Sequence, residues 1–116
     1  MKILFEKEKD RKLFAEPRSL ERHYRRYPER AKLIRKRLDE LVDAENLATM
    51  RYMPQAHCHE LKASRRGQLA VKLDGRYRMI FEVADEPVPR KPDGGLDWSG
   101  VTAIRILELA VDYHDE

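Results

Sequence analysis

The spacing of apolar residues changes once along the chain, from a helical period in the first half to a strand period in the second. Ala31, Ile34, Leu38, Leu41 and Val42 fall on one side of a 3.6-residue repeat and predict a helix from residue 28 to about 44. Pro28 suits its first position, where no backbone donor is lost, and Arg30, Lys32, Arg35, Lys36 and Arg37 mostly point away from the apolar stripe. Upstream, MKILFE reads as a first short strand. DRKLFAE (10 to 16) reads as a brief helix ended by Pro17, and Ser19 as the N-cap of LERHYRRY.

Beyond residue 56 apolar and polar residues alternate. Leu69, Val71 and Leu73 form one such run and Tyr77, Met79, Phe81 and Val83 the next, which predicts two antiparallel strands. Asp74-Gly75 between them signals a two-residue type I′ turn. Strand parity then sets Gln68, Lys72 and Arg78 on the face opposite the apolar one. ADEPVPRKPDGGLDWSG (84 to 100) holds three of the six prolines and three of the five glycines and reads as a long loop. Residues 101 to 111 are apolar on both faces, as a central strand requires. The sum is one α+β domain: an N-terminal strand and two to three helices packed on one face of a mostly antiparallel, four- to five-stranded sheet.

Charge is distributed unevenly along the 116 residues. Residues 1 to 66 carry 18 Lys and Arg against 11 Asp and Glu, and the remainder carries 6 against 10. The basic half suits a polyanion such as nucleic acid, although Arg-rich solvated helices account for the same numbers. Cys58 is the sole cysteine, so no internal disulfide forms. No segment approaches the ~20 apolar residues of a membrane span, and MKILFEKEKD lacks a signal-peptide core; a cytoplasmic protein with no membrane contact is expected.

Chemistry concentrates in HCHELKASRRGQ (57 to 68). Imidazoles suit proton transfer near neutrality, and Lys62, Arg65 and Arg66 suit a phosphate that gathers charge in its transition state, which together fit phosphodiester cleavage. A metal reading is weaker: His57, His59 and a distant His114 are joined by no carboxylate or thiolate at ligand spacing. No metal or cofactor is expected. Cys58 reads as a small buried apolar residue rather than a nucleophile. Tyr24, Tyr27 and Tyr52 read as core or interface residues, Trp98 as an anchor for the long loop, and Arg105 as the partner of a buried acid.

RYMPQAHCHELKASRRGQLAVKLDGRYRMIFEV (51 to 83), with DGGLDWSGVTAIRILELAVDYH (93 to 114), resembles the HigB branch of the RelE/ParE superfamily, the toxins of type II toxin–antitoxin systems. The most specific parts are His-x-Leu-Lys at 59 to 62, Gly-Gln at 67 and 68, Tyr-Arg-x-Ile-Phe at 77 to 81 and the terminal Asp-Tyr-His. The resemblance implies a RelE-like domain over residues 1 to 116. It also implies an endoribonuclease that cuts mRNA on the ribosome without a metal, with His59, Asp112, Tyr113, His114 and Arg78 as its catalytic group. Lys62, Arg65, Arg66 and Arg76 match RNA-binding cations. The implied partners are a helix-turn-helix antitoxin of the HigA type, the ribosome and its mRNA, with operator DNA reached only through the antitoxin complex.

Where the family usually carries Leu-Pro-Gly before the first catalytic His and Gly-Asp after the Lys, this chain has Met53-Pro54-Gln55 and Ala63-Ser64. Strand parity groups Tyr113 with Val111 and Leu109, opposite His114. Two other functions fit the same fold: a non-enzymatic ParE-like poison of a protein target such as DNA gyrase, for which the histidines have no use, and an inactive regulatory module.

Overall fold

The computed structural model describes residues 1 to 113. Its sheet has the order β1-β5-β4-β3-β2, formed by β1 (Lys2–Phe5), β2 (His59–Glu60), β3 (Gln68–Lys72), β4 (Tyr77–Val83) and β5 (Ala103–Asp112). β1 runs parallel to β5 and every other neighbouring pair is antiparallel, so β5 is internal, as its two apolar faces predicted. Three α-helices among the described residues, α1 (Glu8–Ala15), α2 (Pro17–His23) and α3 (Pro28–Asp43), complete the α+β domain.

α3 starts at Pro28 as expected and buries Ala31, Ile34, Leu38 and Leu41. Each large aliphatic side chain removed from water there contributes about 1.5–3 kcal/mol. Val42 instead lies in solvent, while Arg30 and Arg37, expected outside, are buried. The Arg30 guanidinium forks onto the Asp74 carboxylate (3.1 and 3.0 Å) and stacks over the Tyr77 ring at 3.5 Å. A helical wheel places both arginines beside the apolar stripe, and acceptors from the sheet draw them in. α2 begins at Pro17, two residues before the predicted Ser19 cap, because proline's fixed φ already suits a first helical position. The Ser19 hydroxyl donates to the Glu16 carboxylate (2.9 Å).

The β3–β4 hairpin also departs from its sequence reading. Lys72 pairs with Arg78, and Leu73 N–H donates to the Tyr77 carbonyl, so the loop has three residues, Asp74, Gly75 and Arg76, rather than two. Gly75 alone takes the left-handed conformation (φ +54°), and Tyr77 N–H closes back on the Asp74 carbonyl at 2.9 Å. Asp74 serves as acceptor for Arg30 instead of as the first left-handed position of a type I′ turn.

The helices and one sheet face enclose the main core, where Leu38, Met79, Phe81, Ile104 and Ile106 are fully buried. The other face is open and has a thin apolar floor: Leu61, Ala70 and Ile80, with Leu107, Val111 and Tyr113 packed against it. β5 reaches both layers through two register shifts against β4, which advances three residues from Phe81 to Arg78 while β5 advances five from Ile106 to Val111. Leu109 therefore turns into the main core whereas Val111 and Tyr113 stay with the open-face floor, which corrects the parity that grouped all three.

Candidate functional site

The open face gathers most of the predicted residues. β2 is only two residues long, and its register sets His59 opposite Ala70 and Glu60 opposite Leu69. Directly opposed residues share a face, so His59, Ala70 and Ile80 form one row and Lys72, Arg78 and Val111 the next. Two strand spacings and two residues along the sheet separate the His59 and Arg78 backbones by roughly 12 Å. Imidazole and guanidinium thus rise from opposite sides of a shallow apolar floor.

His59 is held by its own neighbourhood. His57 adopts a left-handed backbone (φ 44°), which turns its carbonyl to within 2.8 Å of His59 Nδ1 and stacks the two rings at 4.5 Å. A carbonyl only accepts, so Nδ1 carries the proton of the neutral ring and Nε2 is the atom able to take one up. Cys58 points the other way and packs on the main core, and burial pushes its thiol up to about 12, so it is no nucleophile at neutral pH. Glu60 accepts from Trp98 Nε1 (3.0 Å), and Arg51 lies 4.3 Å over the indole. Trp98 anchors the long loop, as expected, and does so on the strand that bears His59.

The turn after β2 folds across the open face. Arg65 Nη1 donates to Gln68 Oε1 (3.0 Å), and the guanidinium lies 5.3 Å from the Tyr113 ring, which joins this turn to the end of β5. Ala63 occupies a left-handed position (φ 54°), a conformation that favours glycine. Lys62 is exposed at the start of the turn. Arg66, also exposed, borders a neighbouring cavity of about 480 Å³ shared with Gln68, Glu82 and Arg105. Arg78 Nη1 donates to the carbonyls of Gly75 (3.1 Å) and Tyr77 (2.9 Å), which bends it toward the hairpin.

Asp112 does not share this face. It opposes Tyr77 and accepts from Arg76 Nη2 at 3.3 Å, both groups being well exposed. His114 lies outside the described residues. Tyr24 is half-buried, whereas Tyr27 and Tyr52 are 54% and 86% exposed and do not belong to the core. Arg105 pairs with Glu82 (2.8 Å), yet on the open face, with each side chain about one third exposed rather than buried. Lys72, directly across from Arg78, was not singled out from sequence; the alternation placed it on that face, and the three-residue turn brings it into register. Among the described residues no group of three His, Cys, Asp or Glu is placed to hold a metal, and no helix is long and apolar enough to cross a membrane.

Fold and site together define a small α+β domain with a histidine and several cations on an open sheet face. The model of the HigB-like toxin family, described as the RelE-like toxin of type II toxin-antitoxin system HigB, matches residues 6 to 90, and the chain belongs to that family. It is a toxin of a type II system, whose counterpart is a protein antitoxin. The match spans His59, Lys62, Arg65, Arg66, Arg76 and Arg78 and stops short of β5. Searches of curated proteins and of solved structures returned no match.

Proposed function

We propose that this toxin is a ribosome-dependent mRNA endoribonuclease that acts in the cytoplasm and is silenced by a helix-turn-helix antitoxin of the HigA type. In this reading His59 Nε2 accepts the proton of a ribose 2′-hydroxyl, and the freed oxygen attacks the adjacent phosphorus. The P–O5′ bond breaks, and the leaving oxygen takes a proton from Tyr113 or His114. Arg78, Lys72 and Lys62 offset the charge that builds on the phosphorane, and Arg65, Arg66 and Arg76 hold flanking phosphates. Asp112 acts through Arg76, keeping that cation at the end of β5. No step requires a metal. Operator DNA is reached through the antitoxin.

The observation that carries the reading is the His57 carbonyl on His59 Nδ1, because it fixes the tautomer in which the basic nitrogen is Nε2, itself buried, on the same sheet face as Lys72 and Arg78. Internal attack produces 2′,3′-cyclic phosphate and 5′-hydroxyl ends. Purified toxin added to programmed ribosomes should yield those ends, and His59→Ala should slow single-turnover cutting about 10²- to 10⁴-fold with the fold intact. Toxicity without mRNA fragments, or full cutting by His59→Ala, would overturn the mechanism and favour a poison of a protein target such as gyrase.

A further inference from the structure

Arg37 is 4% exposed and lies on the helix side of the sheet, from where it reaches the residues proposed to act on RNA through the backbone carbonyl of Lys72 and not through a side chain. Its three donor nitrogens are all engaged. Nε donates to the Lys72 carbonyl (2.8 Å), Nη2 to the Gln55 carbonyl (2.9 Å), and Nη1 to Glu40 Oε1 (3.0 Å), its counter-ion one turn along α3. Lys72 ends β3 directly across from Arg78, and Gln55 sits in the turn Pro54–Ala56 that leads into His57 and His59. One rigid, planar group therefore spans the two segments that deliver the cations and the base.

That link adds a tie from the helix side to those already holding β2, among them the Trp98 indole on the Glu60 carboxylate (3.0 Å). β2 is an edge strand of two residues, paired with β3 at His59 and Glu60 and closed by the Leu61 N–H bond to the Gln68 carbonyl (2.9 Å). A well-packed apolar side chain would fill the same space without the cost of burying a charge, so packing alone does not call for a guanidinium. Its fork can hold two carbonyls from different segments at a set separation, which neither an apolar group nor a lysine can do.

We propose that Arg37 is a positioning residue for the nuclease centre, setting the place of His59 relative to Lys72 and Arg78 from the far side of the sheet. The proposal rests on the nuclease reading above. Small misplacements of a catalytic group cost on the order of 100-fold. Arg37→Met should therefore slow single-turnover cutting per folded molecule about 100-fold with ribosome affinity per folded molecule unchanged, while the β4 and β5 amides speed up only by the global loss of stability that stranding Glu40 and two carbonyls brings. In the same variant the Leu61 amide should accelerate by more than the β4 and β5 amides do. A merely structural Arg37 would lower folded fraction, binding and cutting together.

Wild-type cutting by folded Arg37→Met overturns the proposal and leaves the nuclease reading standing. Should that variant fail to fold, Arg37→Lys keeps the charge beside Glu40 but not the fork. It should still cut about tenfold slower, and full activity in it would equally overturn the proposal. If the wild-type chain cuts no RNA, the nuclease reading fails by itself, and Leu61 exchange decides whether Arg37 holds β2: no acceleration beyond that of the β4 and β5 amides in Arg37→Met, or in Arg37→Lys where the methionine variant does not fold, removes that role.

Discussion

The two faces of the sheet use the same residue type in opposite ways. On the helix-covered face Arg30 and Arg37 are buried, and their guanidiniums are spent on protein acceptors: the Asp74 carboxylate in one case, two backbone carbonyls and Glu40 in the other. On the open face Lys62, Arg66 and Lys72 project into water, while Arg65 lies over the Tyr113 ring. Counting basic residues in the first half of the chain lumps these groups together. The contrast shows that charge is available to a polyanion only where the fold leaves it facing solvent, and much of α3 is basic for reasons of architecture.

Substitutions on the two faces should separate in their readouts. The largest effect is expected on the open face, where Arg78→Ala should slow cutting about 10²- to 10³-fold in single-turnover assays on ribosomes, because a cation aimed at developing phosphorane charge acts in the transition state. Its thermal midpoint should stay close to wild type. An Arg78→Ala toxin that cuts normally would blur the division between faces.

On the covered face Arg30→Leu should leave Asp74 without its partner and cost about 3 kcal/mol, since breaking a largely buried ion pair strands the remaining charge. For a domain of this size that corresponds to a fall of about 10 °C or more in thermal midpoint. Specific activity per folded molecule should fall far less than in Arg78→Ala. A stable Arg30→Leu with impaired cutting would reverse the assignment.

The smallest effect concerns the turn between the faces. Ala63 pays the steric penalty of a left-handed conformation, about 1–2 kcal/mol, part of which glycine returns as backbone entropy. Ala63→Gly should therefore raise stability by less than about 1 kcal/mol, seen as a few degrees in thermal unfolding. A destabilised Ala63→Gly would show that the methyl group makes a contact worth more than the strain.

Much of this was legible in the order of residues. The 3-and-4 spacing from Ala31 to Leu41 and the alternation from Leu69 to Val83 reflect burial on one side of a regular element, and regular elements repeat. The cluster from His57 to Gln68 also stood out, because its residue types are dense and chemically specific. What escaped depended on partners far along the chain. Arg37 meets Lys72 and Gln55, 35 and 18 residues away, and a helical wheel has no means of representing either acceptor. The hairpin gained a residue, with Asp74 held by Arg30 from 44 positions upstream. Tyr113 reached the His59 face with Val111 but without Leu109, because β5 shifts register where parity arguments assume an uninterrupted strand.

Those register shifts make β5 behave like a reading frame in space. Removing a single residue between Ile106 and Val111 would keep the strand's length, composition and hydrophobicity nearly the same, yet everything beyond would arrive one position early. Asp112 would then occupy the face that Tyr113 holds, and the tyrosine would be carried to the helix side. Length variation in this stretch should be tolerated in pairs of residues and not singly, so a library of one- and two-residue deletions here would read out the frame directly as loss or retention of toxicity.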